Sequence, residues 1–378
     1  MNKKEISEIK SQLTITSSTI TRISGCYVDG EKEKRAVFTE SFQSMPEGSI
    51  FKYLEIFRKV LGGTVGKALY NLPFPKEQEQ DGGAQNLLAK LCRTKLKSED
   101  ELTEFFDKVI ENYAIVGNFL ILLVHADYDI PGAANDGTFM DDASDMVYSH
   151  IICAICPVEL SKPGLSYHEQ DGDFQECARN WMIGQPEVGF LFPAFNDRSV
   201  DLHEVLYHVK SAKNPHHEVI ESVLGCSLKH TGDEQVKAFQ QVVEETLSEN
   251  CDYDAVKSLV SNLEELVMEQ EKEPSQIPMK KETLLSVLEE NLEDDAALTE
   301  AWDEIVGEDE NLLLGNIATG GKQVIKMNDV EIHSRNRMGE TIEMRNVNGR
   351  NFLMIPVEGD FELNGILVKA NKKAKPCG

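Results

Sequence analysis

The spacing of apolar positions changes along the chain, and the changes divide it into three regions. Residues 1–231 mix helical and strand periods. "MNKKEISEIKSQL" reads as an amphipathic helix. "TITRISGCYVDGEKEKRAVFTESF" gives two strand-like stretches separated by Asp29-Gly30 and a charged run, the pattern of a hairpin. In "EGSIFKYLEIFRKVLGG", Ile50, Phe51, Leu54, Phe57, Val60 and Leu61 recur at helical spacing, and Gly62-Gly63 ends the run. A further helix is predicted in "SEDELTEFFDKVIENY": Ser98 and Glu101 have capping-box spacing, and Leu102, Phe105, Phe106 and Ile110 line one face. The run 119–124, "FLILLV", is apolar on successive residues and predicts a central strand buried on both faces. Two more hairpin-like units follow, "HIICAICPVELSKPGLSY" punctuated by Pro163-Gly164, and "VGFLFPAFNDRSVDLHEVLYHV" punctuated by "NDRS". This region is expected to be an α+β domain with a largely antiparallel sheet.

Residues 232–310 carry a purely helical period. Val236, Phe239, Val243 and Leu247 form one stripe. Leu259, Leu263, Leu266 and Val267, with Val256 and Val260, form a stronger one. After "EKEPSQIP", Leu284, Leu285, Leu288 and Leu292 form a third, and a short helix is expected around Trp302. The opposite faces are densely acidic. Residues 311–378 return to alternation. "TIEMRNVNGRNFLMIPV" places Asn348-Gly349, a pair suited to a type I′ turn, between alternating strands. "KQVIKMNDVEIHS" is expected to pair with its neighbours, "FELNGILV" gives another strand, and "KANKKAKPCG" is a basic tail. The expected architecture is thus an N-terminal α+β domain, an acidic helical segment, and a small C-terminal β-rich domain.

Charge sharpens this division. The chain of 378 residues has a net charge of −27. Residues 233–310 hold 24 acidic against 5 basic residues, a net −19, whereas residues 311–378 hold 7 against 10, a net +3. Such acidity opposes general attraction to nucleic acid or anionic membrane. The first residues lack the apolar core of a signal peptide, and no run approaches the ~18–20 apolar residues of a membrane span. The expected location is cytoplasmic, where the eight scattered cysteines stay reduced.

Several motifs fail on inspection. "GGTVGKA", from Gly62 to Ala68, is one residue short of a phosphate loop, has Ala68 in place of the hydroxyl, and follows a helix rather than a strand. "ATGGKQ" fails likewise. Cys153 and Cys156 sit in a strand-like run, where residues three apart point to opposite faces, so core packing is expected. The adjacent His216 and His217 diverge on any regular element, which predicts a helix start or a loop.

Two polar concentrations remain. In "HADYDIPGAANDGT", Asp127, Asp129 and Gly132 match the first, third and sixth positions of a calcium loop. Pro131 and Thr138 stand where that loop needs an oxygen donor and a bidentate glutamate, so an EF-hand is excluded. If the strand stays extended, His125, Asp127 and Asp129 point to one side, and a ~7 Å repeat lets them converge on a divalent cation. Asp141, Asp142 and Asp145 are candidates to join them. The alternative is a solvated loop. The second concentration is "AFNDRS", where Asp197 and Arg198 are catalytic candidates and an Arg–Asp pair bracing a turn is the alternative. If the two strands are neighbours, the two turns share a cleft.

"TITRISGCYVDGEKEKR", "FKYLEIFRKVLGG", "CPVELSKPGLSY", "VGFLFPAFNDRS" and "NGRNFLMIPVEGDFELNGILV" resemble a bacterial family found mainly in Firmicutes and catalogued as a domain of unknown function, number 4317. The resemblance covers most of the chain. It implies a bacterial cytosolic setting and brings no activity, cofactor or catalytic residue with it. The order of α/β body, helices and β segment is also similar to that of bacterial nucleoid-associated proteins, by architecture alone.

The leading expectation is a non-catalytic binding or regulatory protein that meets a protein partner, or itself, through the helical region. A metal-dependent, hydrolase-like enzyme using His125, Asp127 and Asp129 is the alternative, and its divalent metal is the sole cofactor in view. Nucleic-acid contact through the C-terminal region is a further alternative.

Overall fold

A computed structural model describes residues 1–133, 139–140, 146–170, 172–176, 178–272, 278–288, 292, 295–308, 310–318, 323–334, 342–357, 359–363 and 365–369. The chain divides into two compact units, Met1–Gln235 and Val236–Gly378.

The first unit is built on one sheet. Its strands are β1 (Ile20–Val28), β2 (Lys34–Ser41), β3 (Leu69–Pro73), β4 (Asn118–Asp129), β5 (Val147–Leu160), β6 (Trp181–Ile183) and β7 (Val188–Phe192). After a small hairpin of β8 (Ala194–Asn196) and β9 (Ser199–Asp201), β10 (Glu204–Val209) completes it. The order is β2-β1-β4-β5-β7-β10-β3, with β6 on the far end of β5, and every ladder is antiparallel. The expected α+β class with a largely antiparallel sheet is what forms.

The continuous apolar run of β4 makes sense in this position. Successive side chains alternate across a strand. Phe119, Ile121 and Leu123 enter a core with α3 (Ala84–Arg93) and α4 (Glu99–Asn112). Leu120, Leu122, Val124, Ala126 and Tyr128 enter a second core with α1 (Lys3–Ser11) and α2 (Glu47–Val60). Helices therefore cover both faces of the sheet. Gly189 marks a close approach of α2: a Cβ there would meet the Val60 side chain at 2.8 Å and the Cys153 carbonyl at 2.6 Å.

Local details depart from the sequence pattern in three places. Phe51, assigned to the apolar stripe of α2, is 46% exposed, since it lies to one side of the buried line Leu54–Phe57–Val60. Ser98 is the N-cap residue of α4, but its side chain makes no capping hydrogen bond. Pro163-Gly164 does not close a hairpin on β5. Both edges of β5 are occupied, by β4 on one side and by β7 and β6 on the other. The chain after it forms its own hairpin, Leu165–His168 with Asp173–Glu176.

Cys153 and Cys156 behave as strand geometry requires. Cys153 joins the α3–α4 core and Cys156 the α1–α2 core. Burial holds the Cys153 thiol well above its ordinary range and pushes Cys156 to about 12, so both are protonated packing groups. His216 begins a short helical segment. Its Nδ1 lies 2.9 Å from Glu218 Oε1 and its ring packs on Tyr113.

In the second unit, α5 (Gly232–Leu247), α6 (Tyr253–Lys272), α7 (Lys281–Leu288) and α8 (Asp295–Ile305) pack most of their predicted stripes around Trp302, while Val256 of the α6 stripe stays exposed. Three hairpins follow: β11 (Gln323–Met327) with β12 (Val330–Ser334), β13 (Glu343–Val347) with β14 (Arg350–Met354), and β15 (Phe361–Leu363) with β16 (Ile366–Val368). Asn348 and Gly349 have φ of 54° and 78°, the left-handed pair of a type I′ turn. "KQVIKMNDVEIHS" folds back on itself rather than onto a neighbour. The basic tail, residues 370–378, lies outside the described residues. Among the described residues, no helix is long and apolar enough to cross a membrane.

Candidate functional site

The strand β4 stays extended through Asp129, so His125, Asp127 and Asp129 do fall on one side, the α3–α4 side. The antiparallel ladder sets what they meet. Asp127 stands opposite Ser149 on β5, and Arg22 on β1 opposite His125. Ser149 donates its hydroxyl proton to Asp127 Oδ1 at 2.7 Å. Having one proton, it accepts at its oxygen from His125 Nε2, 2.9 Å away. That fixes the tautomer: Nε2 carries the proton, and Nδ1 is free to accept from Thr21 Oγ1 at 2.8 Å.

The second oxygen of Asp127 is also taken. Lys95 Nζ lies 2.7 Å from Oδ2. Lys95 comes from the turn after α3, where it and Leu96 both adopt left-handed backbone, with φ of 53° and 55°. Buried Leu96 anchors that turn in the core, and Cys92 Sγ, one turn earlier, lies 3.3 Å from the Ser149 carbonyl oxygen.

Electrostatics follow from this arrangement. Burial lowers the His125 pKa and outweighs the attraction of Asp127, so the ring is neutral at pH 7. Burial would raise Asp127, but hydrogen bonds from Lys95 and Ser149 and the nearby positive charge hold it below the ordinary carboxylate range. The result is a carboxylate matched by one ammonium and one hydroxyl, beside a neutral imidazole.

Asp129 reaches the exposed end of β4, opposite Val147. Asp141, Asp142 and Asp145 lie outside the described residues. Among the described residues, no group of three His, Cys, Asp or Glu side chains is placed to hold a metal ion.

Asp197 and Arg198 occupy a two-residue turn between β8 and β9, with φ of 49° and 56°. They do not brace the turn by pairing with each other. The Asp197 amide donates to Glu5 Oε1 at 2.7 Å, while Glu5 Oε2 caps α1 by accepting from the Asn2 amide. Arg198 Nη2 lies 3.1 Å from Glu8 Oε1 and 3.3 Å from the Pro131 carbonyl oxygen. Glu8 Oε1 also accepts from Tyr128 Oη. These residues lie on the α1–α2 face. Among the described residues, Asp127 and Arg198 therefore sit on opposite faces of the sheet, although Arg198 reaches the Pro131 carbonyl just past β4: β5 separates β4 from β7, and Tyr128 and Asp127, adjacent in sequence, point opposite ways.

Ser149, Lys95 and Thr21 complete the cluster and carry no signal in the sequence. They are brought in by ladder register and by one helix end. The one clue is that β4 and β5 are both long apolar runs, and paired runs put 127 and 149 within two residues of the same strand ends.

Helices on both faces of an antiparallel sheet, with a hydrogen-bonded His–Ser–Asp–Lys cluster on one face, define this as an α+β protein of two units. The chain belongs to the family described as Domain of unknown function (DUF4317), whose model matches residues 1–366. No curated protein matches it.

Proposed function

We propose that the protein is a non-catalytic binding protein that receives a basic, amphipathic helical segment of a protein partner between α5 and α6. The observation that carries this is a cleft of about 510 Å³ within the second unit. Its walls include Phe239, Val243, Leu259 and Leu263, and its rim includes Gln240 and Glu244. An apolar groove of this kind suits the i, i+3, i+4, i+7 side chains of a helix. The net −19 of residues 233–310 selects a partner of opposite sign.

The His125–Asp127 cluster supports the non-catalytic reading by its bonding. The Ser149 proton is directed to Asp127, and the His125 proton is directed to Ser149, so the imidazole is not set as a base toward that hydroxyl. The Lys95 ammonium takes the position beside Asp127 that a hydrolytic metal ion would need.

The test is fluorescence anisotropy of the full chain with a labelled Leu/Lys amphipathic peptide. Saturable binding that weakens with salt, and weakens about tenfold in Val256→Asn, is expected, since Val256 lines the cleft and is exposed. Equal binding of a Leu/Glu peptide, or no binding of either, would sink the reading.

A further inference from the structure

In the first unit, β6 and β7 follow one another along the same edge of β5. β10 covers β7 and stops where the Lys210 amide donates to the Glu187 carbonyl at 2.9 Å, short of β6. The Asn180 carbonyl accepts from Ser161 and the Gly184 amide donates to Pro157, each at 2.8 Å, which turns these even-numbered residues toward β5. Backbone groups alternate in direction along an antiparallel strand, so Trp181 and Ile183 turn theirs outward. Among the described residues no strand or backbone group bonds to them there. Ile183 stands opposite Val158 of the α1–α2 core, so the Ile183 and Trp181 side chains rise on the α2 side. Between them and α2 lies a cleft of about 590 Å³, with Lys52, Tyr53, Ile56 and Lys59 on its helical wall.

Two features set this edge apart. Edge strands are commonly blunted by charge, and β2, at one end of the sheet, carries Lys34, Arg35 and Glu40. β6 carries Trp181, Met182 and Ile183 instead, which are 53%, 58% and 42% exposed. The second feature is the sign of the cleft. Its lining holds two lysines against one glutamate, in a chain of net charge −27. Lys52 lies 2.9 Å from Glu55, whereas Lys59 has no ion-pair partner among the described residues. The shortness of β6 and the nearby Pro186 limit pairing to a few residues. That is too little to hold a second copy of the chain, whose stable interface would take roughly 20–30 residues a side.

We propose that the outer edge of β6 and the cleft beside α2 bind an extended, acidic segment of a partner protein as an added strand. The segment exchanges main-chain hydrogen bonds with Trp181 and Ile183 and runs antiparallel or parallel to β6, in line with β10. Its alternate side chains fall on the α2 side. Apolar ones pack against Trp181, Ile183 and Ile56, and a carboxylate meets the Lys59 ammonium. Acidity in the partner follows from the local excess of lysine, since opposite sign across an interface selects the partner. This site is separate from the α5–α6 cleft: it lies in the first unit and takes a strand of negative charge, where the other takes a helix of positive charge.

The experiment titrates the full chain with a short labelled peptide of alternating valine and glutamate, and follows anisotropy and tryptophan emission together. Saturable binding with a blue shift is expected, because Trp181 becomes covered while Trp302 is already buried. The same peptide N-methylated at alternate amides keeps its side chains and loses its donors on one edge. It should bind about tenfold more weakly, as should the parent peptide to Ile183→Pro, which removes one outward amide at an edge where proline is tolerated. Ile183→Val keeps that amide and should bind as the parent does. Lys59→Glu, an exposed change, should weaken binding and remove its salt dependence. Equal binding of the N-methylated peptide, equal binding of a valine–lysine peptide, or no binding at all overturns the proposal. So does a concentration-dependent dimer in sedimentation velocity that Ile183→Pro abolishes, since a second copy then takes the edge.

Discussion

Ser149 on β5 donates its hydroxyl proton to Asp127 on β4, at 2.7 Å across the ladder, and accepts from His125 in the same geometry. One hydroxyl thus satisfies a carboxylate and a buried imidazole together. Ser149→Ala should leave both groups short of a partner and lower the stability of the first unit by about 1–3 kcal/mol. Urea unfolding at neutral pH reads this directly. A loss below about 0.5 kcal/mol, close to that of an ordinary surface substitution, would mean the cluster is not held as described.

Asp127 sets a second expectation, with a definite sign. Its folded pKa lies below the ordinary carboxylate value, so the stabilisation it brings is present above the unfolded pKa. It is lost as pH falls through the folded pKa. Asp127→Asn should therefore be less stable than the parent at pH 7, and the gap should close in acid, below about pH 4. A gap that widens in acid contradicts the assignment.

The buried histidines act in a higher window. Burial lowers His150 and His208 to about 4 from 6.5. The folded state therefore binds fewer protons than the unfolded state between these values, and stability falls as pH drops from 6.5 toward 4. The loss reaches about 3 kcal/mol per histidine at the acid end. His150 stacks on Tyr148 at 4.4 Å, so His150→Phe keeps a ring in place and should flatten the decline. Chemical denaturation across this range decides it: the same slope in parent and variant would place the titration elsewhere.

The two tryptophans report on the two units separately. Trp302 is fully buried in the helical core and donates to the Glu310 carbonyl, while Trp181 is 53% exposed on β6. Trp302→Ala should cost about 3–5 kcal/mol in the second unit. The emission that remains, from Trp181, should be red-shifted and should follow the unfolding of the first unit. A blue-shifted remainder would contradict the exposure of β6.

Glu5 links a helix cap to a turn. Its two oxygens accept from the Asn2 amide and the Asp197 amide. Glu5→Ala removes both, and should cost about 1–3 kcal/mol. Thermal melting of Glu5→Ala against Glu8→Ala separates the roles, since Glu8 serves the more exposed Arg198 and should cost less. Equal losses would show that the amide contacts contribute little.

Period and punctuation were enough to place α2, α4, the acidic helices, the central β4 and the Asn348-Gly349 turn. These depend on local alternation and on residues with a preferred backbone geometry, which a linear pattern carries. The same alternation put His125, Asp127 and Asp129 on one side and sent Cys153 and Cys156 to opposite cores. What surrounds those side chains is a matter of register and of which strands are neighbours. Only the tertiary structure decided that Ser149 faces Asp127, that Lys95 arrives from a helix end, and that the far edge of β5 is taken by β6 and β7 rather than by the stretch directly after Pro163-Gly164. It also separated the two polar concentrations, setting Asp127 and Arg198 on opposite faces of one sheet. Long-range pairing fixes such neighbours, and no residue spacing within a single segment encodes it.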